Sequence, residues 1–503
     1  MSAQSLIPVK NGQALPLAEI PELSVAAFRE AILEAVSLGQ RLACLCADGQ
    51  RRLFAVLADD TGGQLRVTRT QLNEPRYQAL TPTCPQAHLF ERELAEQYGI
   101  TPEGHPWLKP VRYQRPWTPV GAEPAPLPLP GVMDFYRVEG EEVHEVAVGP
   151  VHAGVIEPGH FRFQCHGETV FHLEIALGYQ HRGVEQALEG GPHPLSLKQA
   201  ETAAGDTSIA HAWAHCRTLE GLAGVTVSQR ADRVRGVALE LERMANHVGD
   251  LGALSGDVGF LPTASFCGRL RGEWLNLTAE VCGNRLGRNW LRPGGLQQDL
   301  DGAMIARLAP RMAQAWVETQ DSVDLLWGAA SVVIRFEGAG HLTPSQAREI
   351  GAVGVPARAC GIPMDVRQDH PFGPYGMHPV EPVLAESGNV HSRAWVRWRE
   401  LFESQRHLAG AFAELAKSPC EPRPGPLPNL ASDSLCVALV EGWRGEVLHL
   451  AITDAGGRFS RYKIVDASFH NWFGLALALR GETISDFPLC NKSFNLSYCG
   501  HDL

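Results

Sequence analysis

The sequence predicts an α+β protein, in which a small N-terminal α+β domain precedes a mainly helical domain that starts with a β-hairpin and ends with a small sheet. Helix-like and strand-like segments alternate over the first 113 residues, and apolar residues recur at intervals of three and four from residue 194 onward. A proline-rich run separates these two regions. The chain of 503 residues is long enough for about two to four domains.

The N-terminal region has the pattern of a unit that folds alone. Ser24 to Leu38 has the periodicity of an amphipathic helix, and RLACLCA, RRLFAVLA and GQLRVTRTQL follow as strands separated by DGQ and DDTGG turns. In TPVGAEPAPLPLPGV, proline replaces periodicity and removes backbone donors, which favours a semi-extended linker. We therefore predict domains at 1–115 and 141–503, joined by a linker at 116–140.

The densest functional signal lies between Gly149 and Glu185, in GPVHAGVIEPGHFRFQCHGETVFHLEIALGYQHRGVE. Alternation of apolar and polar residues predicts a β-hairpin that turns near Gly167-Glu168. A helix is expected to open at Gly178, with His181, Arg182 and Glu185 in its first two turns and the last two as an i,i+3 pair. From composition alone, a hairpin with scattered histidines is more often an ordinary surface than a functional site.

Helical periodicity then dominates, in segments 194–224, 228–256 and 265–288. Within ERMANHVGDLGALSGDVGF, polar residues recur at helical spacing; they are Glu242, Asn246, His247, Asp250 and Asp257. A buried polar network between helices and a functional role explain this cluster equally well. Near the end, SLCVALVEGWRGEVLHLAITDAGGRFSRYKIV predicts two or three strands, and ASFHNWFGLALAL predicts a helix.

Composition excludes several classes of function. A formal net charge of -12 without a basic cluster argues against nucleic acid as a partner. Twelve cysteines are present without a Cys-x-x-Cys pair, which argues against a disulfide framework and against a cysteine-built cluster in this chain. No signal peptide and no run of eighteen apolar residues is visible, so we expect a cytoplasmic location.

The motifs GPVH, EPGHF and GYQHRGVE, in this order, resemble the start of one large protein family. It comprises the large subunits of energy-converting nickel-iron hydrogenases, the formate hydrogenlyase type included, and the quinone-site subunit of respiratory complex I. The run CPQAHLFERELAEQYGITPEGHPWLKPVRY resembles the end of the small accessory subunit of complex I. The resemblance thus implies a fusion in which residues 1–115 form a docking domain.

In the hydrogenases, the resemblance implies two Cys-x-x-Cys pairs, because four soft thiolates hold nickel and bridge it to iron. Aligned on AAGDTSIAH and SDFPLCNKSFNLSYCGHDL, the four ligand positions fall on Ala204, Thr207, Ser497 and Gly500. Cys499 is one residue out of register. We therefore expect no metal and no cofactor in this chain, which is not itself an active nickel-iron hydrogenase.

The complex I branch implies a quinone pocket built on a tyrosine and a histidine. The tyrosine position falls on Gly205 and the hairpin-loop histidine position on Ile156. A further helix histidine, which in complex I lies near the terminal iron-sulfur cluster, falls on Leu254. The quinone set is therefore absent too, although a bound quinone headgroup is left open.

The resemblance implies a polar cavity that relays protons or is vestigial. Glu157 matches the glutamate that passes protons in the hydrogenases, and His152, Asp206 and His211 are expected beside it. Thr207, Ser497 and His215 are expected to face the same cavity. The residues His181 and Arg182 are expected to face an iron-sulfur cluster in a partner subunit, where a permanently charged arginine at a helix N-terminus would favour an anion.

Three functions remain open from the sequence. The chain could be a subunit of a complex on the cytoplasmic face of the inner membrane, beside an iron-sulfur subunit of complex I type and antiporter-like membrane subunits, that couples redox or conformational change to ion translocation. It could instead bind a quinone or another small molecule and reduce or oxidise it with electrons from the partner's cluster. It could also be a structural scaffold alone.

Overall fold

A computed structural model describes residues 5–117, 129–152 and 156–503. It confirms the predicted α+β class, with a strand-rich N-terminal region and a helical middle. Residues 118–128 of the predicted linker lie outside the described residues. No helix of the described chain is both long enough and apolar enough to cross a membrane.

The N-terminal region is built around a sheet covered by one helix. Its elements are β1 (Ile7–Val9), β2 (Ala14–Pro16), β3 (Glu22–Leu23), α1 (Val25–Ser37), β4 (Arg41–Ala47), β5 (Arg52–Asp59), β6 (Gln64–Gln71), β7 (Arg76–Gln78), α2 (His88–Tyr98) and β8 (Thr101–Glu103). The sheet has the order β1-β6-β5-β4, with β3 parallel to β6. The helix predicted from Ser24 is present, and the Ser24 hydroxyl accepts a hydrogen bond from the Ala27 amide (3.3 Å) as its N-cap.

The predicted hairpin belongs to a three-stranded antiparallel sheet. Its strands are β9 (Val143–Val148), β10 (His160–His166) and β11 (Thr169–Ala176), in the order β11-β10-β9. Gly167, at a φ of +56°, makes the turn between β10 and β11, as the sequence predicted.

The prediction that a helix begins at Gly178 is wrong. The structure has only a short helix there, α3 (Val184–Leu188), which follows Gly183. Residues 178–183 form a loop because their backbone donors are used elsewhere: the amides of Gly178 and Gln180 donate to the two carboxylate oxygens of Asp502, at 2.8 and 2.9 Å. His181 and Arg182 therefore lie in a loop, before the helix.

The helical middle confirms the three predicted segments, except that 194–224 is divided. The elements are α4 (Ser196–Glu201), α5 (Ser208–Ala223), α6 (Gln229–Asp257), α7 (Leu261–Cys282), β12 (Leu291–Arg292), β13 (Gly295–Leu296), α8 (Gly302–Trp327), α9 (Ala330–Glu337), α10 (Pro344–Glu349), α11 (Gly354–Ala359), α12 (Val366–Asp369) and α13 (Val390–Leu415). Helix α6 packs against α7 and α13. A turn over residues 202–207 separates α4 from α5.

The last part of the chain forms the sheet that supports the candidate site. It contains β14 (Ser434–Glu441), β15 (Glu446–Thr453), β16 (Phe459–Val465), α14 (Ala467–Ala478), α15 (Phe487–Phe494) and α16 (Tyr498–Asp502). The sheet has the order β16-β15-β14-β2, so that β2 of the N-terminal region completes it. Helix α5 packs on β14 and β15.

Buried ion pairs join the N-terminal region to this sheet. Lys463 on β16 donates to Glu93 on α2 (2.7 Å), and Arg41 on β4 donates to Glu446 on β15 (2.9 Å). Both acceptor carboxylates are at most 1 % exposed. The division at 1–115, 116–140 and 141–503 stays a prediction, but these contacts, together with the pairing of β2, work against independent folding of residues 1–115.

Candidate functional site

The two runs on which the nickel-ligand positions fall meet in space. Ala204 and Thr207 lie in the turn before α5, and Ser497 and Gly500 lie at the start of α16. Arg182 joins the two runs: its guanidinium donates to the carbonyl oxygens of Thr202 (2.5 Å), Ala203 (2.9 Å) and Cys499 (3.2 Å).

The residues at these four positions do not fit a centre that needs four thiolates. Ala204 has no ligand atom, and the Thr207 hydroxyl donates to Asp206 (3.2 Å). The Ser497 hydroxyl accepts from the Gly500 amide (2.9 Å) as the N-cap of α16. A Cβ at Gly500 would lie 2.8 Å from the Asp466 carboxyl carbon, so a carboxylate occupies the space of that side chain. Among the described residues, no group of three or more His, Cys, Asp or Glu is placed to hold a metal ion.

Asp206 is held in an ion pair. The Arg444 guanidinium contacts both Asp206 carboxylate oxygens, at 2.5 and 2.8 Å, and also donates to the Asn495 carbonyl (2.5 Å). The Asp206 side chain is 33 % exposed, whereas Arg444 is buried and stacks on Trp443 at 3.9 Å from the ring centroid. Burial alone would raise the pKa of Asp206, but the adjacent guanidinium holds that pKa below its usual value. Asp206 is therefore an ionised carboxylate at the edge of the site.

Glu157 lies beside the thiol of Cys499. Burial, with a contribution from the neighbouring Glu157 carboxylate, raises the pKa of Cys499 to about 11. Cys499 is thus a neutral thiol at pH 7, and its sulfur lies 3.4 Å from the Ser497 hydroxyl. A neutral thiol is a poor metal ligand and a poor nucleophile.

Two of the predicted site histidines, His152 and His181, contact residues other than Asp206. His152 packs against Phe161, with 6.2 Å between ring centroids, next to the Gly149-Pro150 turn. His181 is hydrogen-bonded to the Asp502 carbonyl (2.7 Å). Each therefore has a local structural contact that the sequence did not indicate.

Arg182 neither lies at a helix N-terminus nor pairs with Glu185, the two arrangements that the sequence predicted. No helix begins in front of Arg182, and the five-residue α3 starts two residues later. The alternative pair with Glu185 is wrong, because the Glu185 carboxylate is buried between Lys463 (2.9 Å) and Arg461 (3.0 Å). Arg182 instead directs its donors to carbonyl oxygens of the two ligand runs, and it remains exposed.

His211 belongs to a buried chain of hydrogen bonds. Its Nε2 lies 3.2 Å from the Asp466 carboxylate, and its Nδ1 lies 3.1 Å from His449 Nε2. The Tyr462 hydroxyl follows, at 2.8 Å from His449 Nδ1 and 2.7 Å from His215 Nδ1. Although burial favours its protonated form, hydrogen bonding to His211 lowers the pKa of Asp466 to about 2.

The polar cluster on α6 supports the turn of the site. The Glu242 carboxylate accepts from the amides of Ile209 (2.7 Å) and Ala210 (3.3 Å) and so caps α5. Burial raises the pKa of Glu242 to about 8. Asn246 donates to the Asp206 carbonyl (2.9 Å), and its neighbour His247 bonds Glu400 (2.7 Å). The contacts made by this cluster are those of a network between helices.

The positions implied by the quinone pocket of complex I lie in different surroundings. A Cβ at Gly205 would meet no atom within 4 Å, so that position faces open space beside Asp206. Ile156 is exposed and Leu254 is fully buried.

Replacing Arg182 by methionine is expected to loosen α16 locally. Three carbonyl oxygens lose a charged donor, so amide hydrogen exchange in residues 498–503 should accelerate roughly tenfold, the equivalent of about 1.4 kcal/mol. Exchange measured by mass spectrometry checks this, with the exposed Arg423→Met variant as control. Equal exchange in both variants would show that Arg182 does not hold the two runs together.

Comparisons with known proteins agree on one group. Residues 31–127 match the family model of the respiratory-chain NADH dehydrogenase 30 kDa subunit, and residues 257–424 match that of the 49 kDa subunit. The chain is 28 % identical over 471 residues to formate hydrogenlyase subunit 5 of Escherichia coli (strain K12), covering 90 % of this chain and 82 % of that protein. It is 29 % identical over 359 residues to the carbon monoxide-induced hydrogenase of Rhodospirillum rubrum, covering 70 % of this chain and 97 % of that protein. It is 28 % identical over 410 residues to the NADH-quinone oxidoreductase C/D protein of Bacteroides thetaiotaomicron, covering 76 % of this chain and 77 % of that protein.

Proposed function

We propose that this chain, which is related to formate hydrogenlyase subunit 5 and to the C/D subunit of NADH-quinone oxidoreductase, acts without a nickel-iron centre of its own. Its relatives are subunits of complex I-like and hydrogenase complexes, which makes it a subunit of an oxidoreductase complex of this kind. In the proposal, that complex is membrane-associated and couples electron transfer or conformational change to ion translocation.

One observation supports the absence of nickel: none of the four positions has a thiolate, and other charged groups lie against two of them, Thr207 and Gly500. In the turn before α5, Arg444 pairs with Asp206 and donates to the Thr207 hydroxyl. At the start of α16, the Asp466 carboxylate lies against Gly500. A carboxylate and a hydroxyl are hard ligands, whereas nickel in these enzymes requires soft sulfur. Glu157, Asp206 and His211 are then proposed to handle protons.

The proposed partners are those that the resemblance to complex I and the hydrogenases implies. An iron-sulfur subunit of complex I type would dock beside the exposed Arg182 loop, with His181 behind it, and antiporter-like subunits would join the complex in the membrane. Under this proposal the chain is peripheral, on the cytoplasmic face of the inner membrane. The cluster would reside in the partner.

A second candidate function is binding of a quinone headgroup or another small molecule. The open space at Gly205 and the partly exposed Asp206 carboxylate favour it, because together they leave a polar opening next to the buried Arg444. A compound that co-purifies with the complex would favour this candidate over a purely structural scaffold.

The experiment is purification of the native complex through a tag other than polyhistidine, followed by elemental analysis and identification of its subunits. We expect iron from the partner's cluster, nickel far below one atom per chain, and no hydrogen uptake or evolution. Stoichiometric nickel would overturn the proposed site. Purification of the chain without an iron-sulfur subunit would instead favour an isolated scaffold.

A further inference from the structure

A line of five buried side chains runs inward from the candidate site. His211 and His215 are four residues apart on α5 and therefore share one face, which packs against the C-terminal sheet. His449 on β15 and Tyr462 on β16 point into that contact as diagonal neighbours, since Tyr462 stands opposite Ala451. Asp466 follows β16 and caps α14. All five are at most 1 % exposed.

From this arrangement we propose that Asp466, His211, His449, Tyr462 and His215 store one proton for the candidate site, with the buried Nε2 of His215 as the inner end of the store. The hydrogen bonds are continuous: 3.2 Å from Asp466 to His211, 3.1 Å to His449, 2.8 Å to Tyr462 and 2.7 Å to His215. A neutral imidazole has one donor and one acceptor nitrogen, and a phenol hydroxyl both donates and accepts. Every inner member can thus receive a proton on one side and release one on the other.

The chain of hydrogen bonds has two protonation states. With His211 neutral, its Nε2–H donates to Asp466, His449 Nε2–H donates to His211 Nδ1, the Tyr462 hydroxyl donates to His449 Nδ1, and His215 Nδ1–H donates to Tyr462. His215 Nε2 then carries a free lone pair. This nitrogen is buried, and the described residues give it no hydrogen-bond partner.

A proton that is taken up from the solvent and bound at His215 Nε2 shifts each bond in turn. His215 Nδ1 passes its proton to Tyr462, Tyr462 passes its own to His449 Nδ1, and His449 Nε2 passes its own to His211 Nδ1. His211 ends as an imidazolium beside the Asp466 carboxylate, and every bond from His211 to His215 is reversed. One proton has been added, none is lost, and the reverse sequence returns it.

The surrounding groups favour the His211 end as the location of the added positive charge. Burial lowers the pKa of His215 to about 4, and burial with two neighbouring histidines holds the pKa of His449 well below its usual value. At the other end, Asp466 is ionised and adjacent to His211. The titratable and charged groups around Asp466 are Arg444, Asp206 and His470. Glu185 acts on His449, and the thiols of Cys216 and Cys436 lie near Tyr462.

The inference deepens the proton-handling role proposed for the site, and it can be tested without any partner. The full chain labelled with ¹⁵N-histidine reports, in long-range ¹H–¹⁵N correlation spectra, which ring nitrogen of each histidine carries the proton. At high pH, we expect His449 to hold its proton on Nε2 and His215 to hold its proton on Nδ1. After one proton is taken up, we expect the proton on Nδ1 of His449 and on Nε2 of His215. Both changes should occur at the same pH.

Tyr462→Phe removes the hydroxyl that links the two rings. In this variant, we expect the change at His215 to disappear or to separate in pH from the change at His449. The matched control is Tyr375→Phe, which removes another buried hydroxyl, one that is bonded to Glu240 and lies outside the chain of hydrogen bonds. It should leave the joint change intact.

Fixed tautomers of His449 and His215 in the native chain, over the whole pH range in which it is folded, would overturn the inference. So would a joint change that survives in Tyr462→Phe. The native spectra decide the question even where a variant does not fold. Because the isolated chain suffices, failure here is separate from failure to find an iron-sulfur partner.

Discussion

Replacing Lys463 by methionine is expected to lower the free energy of unfolding by about 3–5 kcal/mol. Lys463 donates to two buried carboxylates, Glu93 (2.7 Å) and Glu185 (2.9 Å), and its own side chain is fully buried. Methionine fills a similar volume but leaves the buried Glu93 and Glu185 carboxylates without the ammonium group that they share. Removing one partner of a buried ionic group costs more than the group contributes when intact, because the remaining charges stay desolvated.

Chemical denaturation followed by circular dichroism measures this loss. Lys417→Met is the matched control, because Lys417 is exposed and its substitution should change stability by less than about 0.5 kcal/mol. Equal stabilities of the two variants would show that Arg112 and Arg461, which contact the same carboxylates, already neutralise them.

The same network predicts a direction for the effect of pH. Burial opposes ionisation of Glu185, but Lys463 and Arg461 hold its pKa well below the usual value. A lowered carboxyl pKa contributes stability that is present above the unfolded pKa of about 4.3 and is lost as pH falls below it. The difference between native chain and Lys463→Met should therefore shrink in acid.

Replacing Gly354 by alanine is expected to cost about 2–5 kcal/mol and to disturb the site. Gly354 has a φ of +63°, and a Cβ there would collide with the Arg444 carbonyl oxygen and the Gly445 Cα. The left-handed backbone costs a residue with a side chain about 1–2 kcal/mol, and overpacking against backbone adds about 1–3 kcal/mol. Arg444 must then shift, and with it the ion pair to Asp206.

Gly361→Ala separates the two contributions. Its φ of +74° imposes the same backbone strain, but the nearest atom to its Cβ would be the Ala385 carbonyl oxygen at 3.6 Å, an ordinary contact. We expect a loss of about 1–2 kcal/mol there. Unfolding midpoints of the two variants give the comparison, and equal losses would show that the backbone near Arg444 adapts without strain.

Local pattern predicted the elements of this fold, and long-range contacts decided where some of them begin. The alternation around Gly167 and the periodicity of α6 and α7 are properties of neighbouring residues, so the hairpin and the long helices could be identified from the sequence. The loop before α3 could not, because its amides are held by Asp502, more than 300 residues away in sequence. Periodicity contains no information on such a partner.

The candidate site shows the same limit. Asp206 and His211 could be selected because they lie in a run that resembles known motifs. Their partners Arg444, His449 and Asp466 come from the C-terminal sheet, whose sequence indicated only strands and a turn. A histidine on the inward face of a strand was the available signal, since a buried polar side chain requires a partner.

The pairing of β2 with β14 has a consequence for biosynthesis. Ala14–Pro16 leaves the ribosome early, but its partner, Ser434–Cys436, is synthesised some 420 residues later. Until that segment is made, β2 lacks its native strand partner, and its backbone groups stay available to other chains. The sheet beneath the site can close only when the polypeptide is nearly complete. A stalled or truncated chain would therefore contain neither the finished sheet nor the buried chain of hydrogen bonds that rests on it.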